Sequence, residues 1–412
     1  MAQRKTRPET APSLASAGLV VLGGLAAVAA AGTVAVGVLA GVMARRIVTP
    51  PTTRSDDTRV FGVDLDAGTI TLEATPDSVL PGDYSFWFAA GSGHARVGAI
   101  EQSSDTRVTR RILNVDFGAL GSAVRGRLGG FSFLGPWDLG LDFENVAVDT
   151  DRGEAPAWLI PAAAPNGRWV IQVHGRGVTR HETLRATPVF HAAGYTSLLM
   201  SYRNDGEAPA SADGRFGLGD TEWLDVEAAI DYALRHGATG IVLMGWSMGG
   251  AISLQAATRA AHDGRLLGVV LESPVIDWAD VVAYQALLLR LPKLVVRGAL
   301  VVMGRRWGRV VTGLHQPIDL PRLDFVARAA DLSLPILILH SDDDGFVPSA
   351  PSRRLAELRP DIVTLVPFAE ARHTKLWNYD PAAWNEAILA WLTQLDAARP
   401  AIESPSRQDQ PG

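Results

Sequence analysis

The segment Gly245–Gly249, with the sequence GWSMG, places a serine between two glycines. It follows the apolar run Ile241–Met244 and precedes a stretch with apolar residues at helical spacing. A sharp turn between a strand and a helix holds a serine hydroxyl in the open, and it requires very small residues two positions away on either side. The start of a helix also favours a developing negative charge. The pattern predicts that Ser247 is a nucleophile, and an ordinary exposed serine in such a turn is the alternative.

A serine nucleophile needs a base within hydrogen-bond reach and a carboxylate that orients this base. His373 follows the predicted strand Val363–Pro367 and lies in a loop, where a mobile base fits. His340 is the rival, but it precedes the acid, whereas the expected chain order is serine, acid, histidine. Three consecutive aspartates follow the predicted strand Leu334–Leu339, and Asp344, deepest in the turn, is predicted to be the acid. The other two are predicted to be turn residues.

The tetrahedral intermediate of acyl transfer needs hydrogen-bond donors aimed at its negatively charged oxygen. The backbone N–H of Met248, at the start of the predicted helix, is one candidate. The second donor is expected in the loop after an earlier strand, here His174–Gly177, and the backbone N–H of Arg176 is the candidate. A plain glycine-rich turn is the alternative for this loop.

Together these motifs resemble those of the α/β-hydrolase superfamily. The resemblance covers about residues 143–395 and is carried by His174–Gly177, Gly245–Gly250, Asp344–Pro348 and His373. The chain looks most like bacterial serine esterases and the related prolyl-oligopeptidase-type and acylaminoacyl-peptidase-type hydrolases. The resemblance implies that Ser247 is the nucleophile, Asp344 the orienting acid and His373 the base. Arg372 departs from the pattern, because relatives often have a small residue before the histidine.

The alternation of apolar strands and helices over residues 142–397 predicts an α/β fold with a mostly parallel sheet covered on both faces. Residues 277–330 interrupt this rhythm with apolar, arginine-rich helices and are predicted to form a lid over the active site. Alternatively, the second half of this segment could lie on a membrane surface, or the helix pair could only cover the core. The tail 398–412 is predicted to be disordered.

Residues 57–141 are predicted to form a β-rich accessory segment that shapes an entrance or contacts a membrane. No constellation of reactive residues is recognisable in this segment. Its histidine, His94, is predicted to be a surface or packing residue rather than a ligand.

The N-terminal region contains no charged residue from position 14 to position 44. A spanning helix needs about 20 apolar residues, whereas the apolar part of a cleaved signal peptide is about 7–15 residues long. The run therefore predicts an uncleaved transmembrane helix at 14–44, after a tail at 1–13 and before a linker at 45–56. A cleaved signal peptide is the alternative. The sequence therefore predicts a single-pass protein of the cell membrane. Because basic residues flank both ends of the run, the orientation is left open.

Composition and motif spacing argue against several kinds of partner, catalytic group and cofactor. The chain has 412 residues, a net charge of -6 and no basic domain, which argues against nucleic acid as a partner. The absence of cysteine excludes disulfides and thiolate catalysis. No histidine–carboxylate spacing typical of a metal site is present. The stretch Gly217–Asp220 lacks the third glycine of a dinucleotide-binding loop, so neither a metal nor a cofactor is predicted.

The sequence thus predicts a membrane-anchored serine hydrolase that cleaves a hydrophobic acyl ester through an acyl-enzyme. A serine aminopeptidase of the same fold is an alternative, with a peptide substrate. It would need an acidic pair to bind a free amine; Glu222 and Asp225 are available, although a helix start explains them as well. A non-catalytic binding module is a further alternative. The acyl group, the leaving group and the oligomeric state are left open.

Overall fold

The computed structural model describes residues 32–131, 133–260 and 264–397. It contains an N-terminal helix, a small β-barrel and an α/β domain built on an eight-stranded sheet. Of the predicted transmembrane helix, residues 14–31 lie outside the described ranges, as does the predicted disordered tail 398–412. None of the helices within the described ranges has both the length and the apolar character needed to cross a bilayer.

The N-terminal helix, α1, includes residues 32–48 and packs on the α/β domain. Ala40, Ala44 and Val48 are buried, and their spacing of four places them on one face of the helix. The opposite face carries three exposed valines, Val34, Val38 and Val42. The C-terminal half of α1 is therefore part of the globular structure.

The predicted β-rich segment forms a closed barrel of six antiparallel strands in the order β1-β2-β5-β4-β3-β6. The strands are β1 (Thr58–Asp64), β2 (Thr69–Glu73), β3 (Tyr84–Phe88), β4 (Gly93–Ser103), β5 (Arg107–Phe117) and β6 (Arg125–Gly129). Closure leaves no exposed strand edge. Inside the barrel, the buried guanidinium of Arg110 donates hydrogen bonds to four carbonyl oxygens. These bonds replace the water that a buried charge would otherwise need.

The α/β domain confirms the predicted, mostly parallel sheet. Its order is β14-β13-β12-β11-β9-β10-β8-β7, with β9 to β14 parallel and the hairpin β7–β8 antiparallel at one edge. The strands are β7 (Glu144–Thr150), β8 (Gly153–Ile160), β9 (Arg168–Val173), β10 (Thr196–Met200), β11 (Gly240–Trp246), β12 (Leu266–Glu272), β13 (Ile336–Ser341) and β14 (Val363–Phe368).

Helices cover both faces of this sheet. They are α2 (Thr187–Ala192), α3 (Trp223–Arg235), α4 (Met248–Arg259), α5 (Trp278–Leu288), α6 (Lys293–Gly304), α7 (Arg309–Thr312), α8 (Ala350–Leu358), α9 (Leu376–Tyr379) and α10 (Pro381–Ala397). On β11, Leu243 packs into the core on the α1 and α4 side, whereas Val242 packs into the core on the α10 side. Because both faces are buried, the strand is apolar throughout rather than alternating.

Two helical stretches of the α/β domain are divided by 3₁₀ turns. The stretch from about His181 to Ala193 is a 3₁₀ turn, Arg180–Ala186, followed by α2, which has Pro188 in its first turn. The stretch from Leu294 to Leu314 breaks at Arg305, whose backbone is extended (φ -121°, ψ 142°), and a 3₁₀ turn then leads into α7. The second division is decided by the backbone geometry of a single residue, Arg305, which apolar periodicity does not reveal.

The barrel lies against the segment that follows β14. Asn378 donates a hydrogen bond from Nδ2 to the carbonyl oxygen of Asp83 at 2.7 Å, and Lys375 pairs with Asp77 at 2.7 Å. Gly82 has φ +113°, and a Cβ there would lie 2.0 Å from the carbonyl oxygen of Asn378. This close approach requires glycine.

Candidate active site

Ser247 occupies the turn between β11 and α4 with φ 53° and ψ -116°. This is a strained backbone conformation for a residue with a side chain. A Cβ at Gly245 would lie 2.4 Å from the carbonyl oxygen of Gly249, and a Cβ at Gly249 would lie 2.1 Å from that of Val173. Both glycines are therefore required by the close approach of backbone segments. The turn presents the hydroxyl of Ser247 at the N-terminus of α4.

The structure brings the three predicted triad residues together. The Oγ of Ser247 lies 2.9 Å from Nε2 of His373, and Nδ1 of His373 lies 2.7 Å from Oδ2 of Asp344. The three residues follow β11, β14 and β13, and the carboxyl ends of parallel strands lie at one edge of the sheet. This arrangement can carry a proton from the hydroxyl to the imidazole while the carboxylate holds the ring.

The carboxylate of Asp344 is buried and hydrogen-bonded on all sides. Its Oδ1 accepts the backbone N–H groups of Phe346 and Val347, both at 2.8 Å, and its Oδ2 also lies 3.4 Å from Nε2 of His340. Burial acts to raise the pKa of Asp344, but the charge of His373 and the hydrogen bonds from both histidines outweigh it and lower the pKa well below its usual value. Asp344 therefore remains ionised and can orient an imidazolium.

The histidine and the aspartates that could have competed for the roles of base and acid form hydrogen bonds or ion pairs with other side chains. His340 is buried on the far side of Asp344, with Nδ1 2.8 Å from the hydroxyl of Ser352. The carboxylate of Asp342 pairs with Arg353, and that of Asp343 pairs with Arg372. Arg372 therefore has an acidic partner on the protein itself.

The predicted oxyanion donors lie on either side of the serine. Met248 is the first residue of α4, where backbone N–H groups have no acceptor inside the helix. In the loop after β9, the N–H of Gly175 donates to Oε2 of Glu182 at 2.7 Å. A Cβ at Gly175 would lie 3.3 Å from Cβ of Ser247, so this loop passes directly beside the nucleophile. With the N–H of Gly175 engaged, that of Arg176 is the candidate from this loop.

A cavity of about 370 Å³ opens over Ser247 and His373. Four basic side chains and two acidic ones line it: Arg54, Arg176, Arg372 and Lys375, with Asp77 and Glu182. The site therefore carries an excess of positive charge in a chain whose net charge is -6. Arg54 comes from the linker, and Asp77 and Phe131 come from the barrel side of the cavity. Sequence reasoning missed these residues, because no motif links them to the serine.

A second, apolar cleft of about 240 Å³ lies between α1 and α5. Its apolar lining comprises Met43, Ile47, Trp278, Val281, Val282 and Leu289, and it shares Arg176 and Phe346 with the cavity over the serine. The ring of Phe346 is 44% exposed, and its centroid lies 5.2 Å from that of the His373 imidazole. The cleft therefore adjoins the candidate active site at Phe346.

His94 is a buried packing residue in the barrel. Its Nδ1 lies 2.8 Å from Oδ2 of Asp116, and its Nε2 lies 2.8 Å from the hydroxyl of Ser85. Burial lowers the pKa of His94. The hydroxyl of Ser85 is fully buried and also contacts the carbonyl oxygen of Phe131. The group therefore ties the barrel to the segment that lines the cavity.

The acidic pair considered for amine binding lies elsewhere. Glu222 accepts the backbone N–H groups of Gly217 and Gly219 at 2.7 and 2.8 Å. Asp225 is paired with Arg203, with its Oδ1 2.7 Å from the guanidinium. The residues that line the cavity over Ser247 include neither carboxylate. Among the described residues, no group of three or more potential metal ligands lies close together.

Comparison with known proteins places these features in a family. A family model described as the alpha/beta hydrolase family matches residues 170–387. A second model, a domain of unknown function (DUF8805), matches residues 59–129, which correspond to the barrel. No curated protein matches the chain.

Several solved structures are similar to the chain. An esterase from Pyrococcus furiosus is 17% identical, with 64% of this chain and 94% of that chain covered and a TM-score of 0.49. An esterase from a Rhodococcus species is 18% identical, with 61% and 99% covered and a TM-score of 0.42. An esterase from Exiguobacterium antarcticum is 16% identical, with 61% and 100% covered and a TM-score of 0.41. Since the family model spans more than half of the sequence, the chain belongs to the alpha/beta hydrolase family.

Proposed function

We propose that the protein is a serine hydrolase that cleaves carboxylic esters through an acyl-enzyme. The observation that carries this proposal is the continuous hydrogen-bonded chain from Ser247 to His373 and from His373 to Asp344. A nucleophile, a base and an orienting acid in this geometry are the minimum that acyl transfer needs.

In the proposed reaction, the Oγ of Ser247 attacks the ester carbonyl while Nε2 of His373 takes the hydroxyl proton. The N–H groups of Met248 and Arg176 stabilise the oxyanion, and one such donor typically lowers the barrier by about 2.7–4 kcal/mol. Collapse of the intermediate expels the alcohol, which receives the proton from His373. Water, activated by the same imidazole, then attacks the acyl-enzyme and releases the acid.

The apolar cleft supports an ester with a hydrophobic acyl group as the substrate. An acyl chain that leaves the carbonyl at Ser247 and passes Phe346 would enter the space between α1 and α5. Each buried methylene contributes about 0.8 kcal/mol. A chain in this cleft would therefore add binding energy through contact with its apolar lining.

The carboxylates of the cavity favour an ester over a peptide with a free amine. Asp77 is paired with Lys375 at 2.7 Å, and Glu182 accepts the N–H of Gly175 at 2.7 Å. An aminopeptidase would need at least one carboxylate that is free to bind an ammonium group. Both are already engaged, so the aminopeptidase alternative is not adopted.

The proposal includes a membrane anchor. The support is the uncharged run from 14 to 44, of which residues 32–44 belong to α1, with Ala40 and Ala44 already packed on the α/β domain. An anchor there would keep the cleft between α1 and α5 near the bilayer. The side of the membrane on which the α/β domain lies is not part of the proposal.

The test is active-site labelling of the detergent-extracted full chain with a fluorophosphonate. Labelling should disappear in Ser247→Ala and persist in Ser253→Ala, which removes a buried hydroxyl of α4. Esters of increasing acyl length and aminoacyl anilides, compared on the unlabelled enzyme, then separate esterase from peptidase activity. Absence of labelling in a folded wild-type protein would refute the proposal and favour a binding module.

A further inference from the structure

The segment 281–318 has an unusual charge. It contains six basic residues, Arg290, Lys293, Arg297, Arg305, Arg306 and Arg309, and neither aspartate nor glutamate. The whole chain, by contrast, has a net charge of -6. The positive charge of this segment therefore lies on α6, on α7 and in the turns that precede them, whereas α5 has no basic residue.

The same segment exposes large apolar side chains. Val310 is 91% exposed and Trp307 is 60% exposed. The others are Leu287, Leu288, Leu289, Leu294, Val301 and Val311. Isolated exposed apolar residues are ordinary, but a contiguous apolar patch on a soluble surface indicates an interaction site.

Helix α6 combines basic and apolar side chains on its exposed face. Leu294, Arg297 and Val301 are spaced by three and four residues, so they share one exposed face. Val295, Ala299, Val302 and Met303 are buried against the rest of the domain. A helix whose exposed face mixes apolar and basic side chains is typical of a helix that lies in the interface of a membrane.

This surface is continuous with α1. A Cβ at Gly298 would lie 2.7 Å from Cβ of Ala40, and a Cβ at Gly41 would lie 3.1 Å from Val311. Arg45 donates a hydrogen bond from Nη1 to the carbonyl oxygen of Val311 at 2.9 Å. The helix that leads back into the uncharged run 14–44 therefore borders the exposed basic and apolar surface directly.

We propose that the exposed face of residues 287–311, here called the lid face, docks on an anionic lipid bilayer. The apolar side chains enter the boundary between head groups and acyl chains, and the basic side chains contact the acidic head groups. An anionic bilayer matches both the charge and the apolar character of the face. The proposal does not depend on the catalytic role of Ser247.

The full chain allows a direct test, because it contains no cysteine. A single cysteine introduced by Val310→Cys can carry an environment-sensitive fluorophore. Val124→Cys, on a barrel residue that is 71% exposed, is the matched control. Val28→Cys, within the uncharged run, reports separately on the predicted anchor. Each protein is reconstituted into vesicles of phosphatidylcholine alone or of phosphatidylcholine with a quarter of phosphatidylglycerol.

We expect the probe at position 310 to shift to shorter wavelength in the anionic vesicles, while the probe at 124 does not change. Replacing Arg297, Arg305 and Arg306 by glutamine should weaken docking about fivefold per arginine, and added salt should act in the same direction. The matched charge control replaces three exposed barrel arginines, Arg59, Arg107 and Arg111, by glutamine and should leave docking unchanged.

A probe at position 310 that remains in water in both kinds of vesicle would overturn the proposal, whether or not the probe at position 28 is in lipid. A blue shift in detergent that grows with protein concentration would also overturn it, because it would identify a second copy of the chain as the partner. If only the probe at 28 stays in water, the anchor prediction fails while the shift at 310 still supports docking.

Discussion

Arg176 donates a hydrogen bond from Nε to the carbonyl oxygen of Ile47 at 3.0 Å, and its Nη2 donates to the carbonyl oxygens of Arg46 and Thr49 at 2.8 and 2.7 Å. One guanidinium thus satisfies three carbonyl groups at the C-terminal end of α1, where a helix has none of its own donors left. The backbone of the same residue belongs to the loop beside Ser247. The N-terminal helix and the proposed oxyanion site are therefore joined through one side chain.

Arg176→Ala should lower both stability and turnover. Loss of the three hydrogen bonds leaves partly buried carbonyl groups without donors, at a cost of about 1–3 kcal/mol in the free energy of unfolding. The loop at 174–177 then loses its fixed position, and we expect kcat to fall about tenfold or more, since small misplacements of catalytic donors are costly. Chemical denaturation and ester hydrolysis measure the two effects. Arg235→Ala, on an exposed arginine of α3, should change neither, and an unaltered kcat in Arg176→Ala would argue against the coupling.

Asp344→Asn should reduce kcat by about 10⁴-fold with the fold retained, because an amide no longer holds the imidazole in the productive tautomer. Asp342→Asn is the matched control, since this carboxylate pairs with Arg353 on the surface. Steady-state ester hydrolysis by the two variants decides between the neighbouring aspartates. A large loss in Asp342→Asn with normal activity in Asp344→Asn would show that the acid has been assigned to the wrong residue.

Val282→Trp should shorten the preferred acyl chain by filling the cleft between α1 and α5. Each methylene excluded from the cleft lowers kcat/KM by about fourfold, whereas esters with the shortest acyl groups should be hydrolysed as before. A series of nitrophenyl esters of increasing length measures the effect. Val124→Trp places the same side chain on the exposed barrel surface and should leave the profile unaltered. An unchanged chain-length profile in Val282→Trp would exclude the cleft as the acyl site.

The buried pair of Asp205 and His174 should make stability depend on pH. Burial acts to raise the pKa of Asp205, but the interactions with His174 and the hydrogen bonds from the backbone N–H groups of Ala208 and Glu207 together outweigh it, so the pKa in the folded protein lies below the usual value. The unfolded state therefore binds the proton more tightly. The stabilisation is complete above the unfolded pKa of about 4 and is lost as the pH falls towards the lower, folded pKa.

Asp205→Asn should consequently destabilise the protein by about 2–3 kcal/mol at neutral pH. The difference from the wild type should decrease below about pH 4. Denaturant unfolding of both proteins across this range measures it. A difference that grows towards acid pH would contradict the assignment of the lowered pKa to Asp205.

Local features of the sequence predicted the turn at Ser247 and the parallel strands of the α/β domain. The turn at Ser247 needs glycines two residues away on each side, and the parallel strands need continuous apolar runs, so both features are visible within a few residues. The catalytic roles of Ser247, His373 and Asp344 stay predictions, although the structure brings their side chains within hydrogen-bond distance.

The remaining features depend on contacts between distant segments. Arg54, Asp77 and Phe131 reach the cavity only because the linker and the barrel fold against the α/β domain. Likewise, nothing in the sequence near Arg176 indicates that its side chain donates hydrogen bonds to the carbonyl groups at the C-terminal end of α1. The sequence around His94 also does not indicate that Ser85 and Asp116, on two other strands, are its hydrogen-bond partners. Periodicity and motif spacing carry no information about such pairs.

The contact of the barrel with the segment after β14 bears on the order in which parts of the chain fold during synthesis. Asp77 and Asp83 leave the ribosome long before Lys375 and Asn378, and domains generally fold as units from the N-terminal end. We therefore expect the barrel to fold before the segment that carries Lys375 and Asn378 docks on it. Until that segment is synthesised, the nascent chain contains Ser247 but not His373, so the hydrogen bond between Ser247 and His373 cannot yet form.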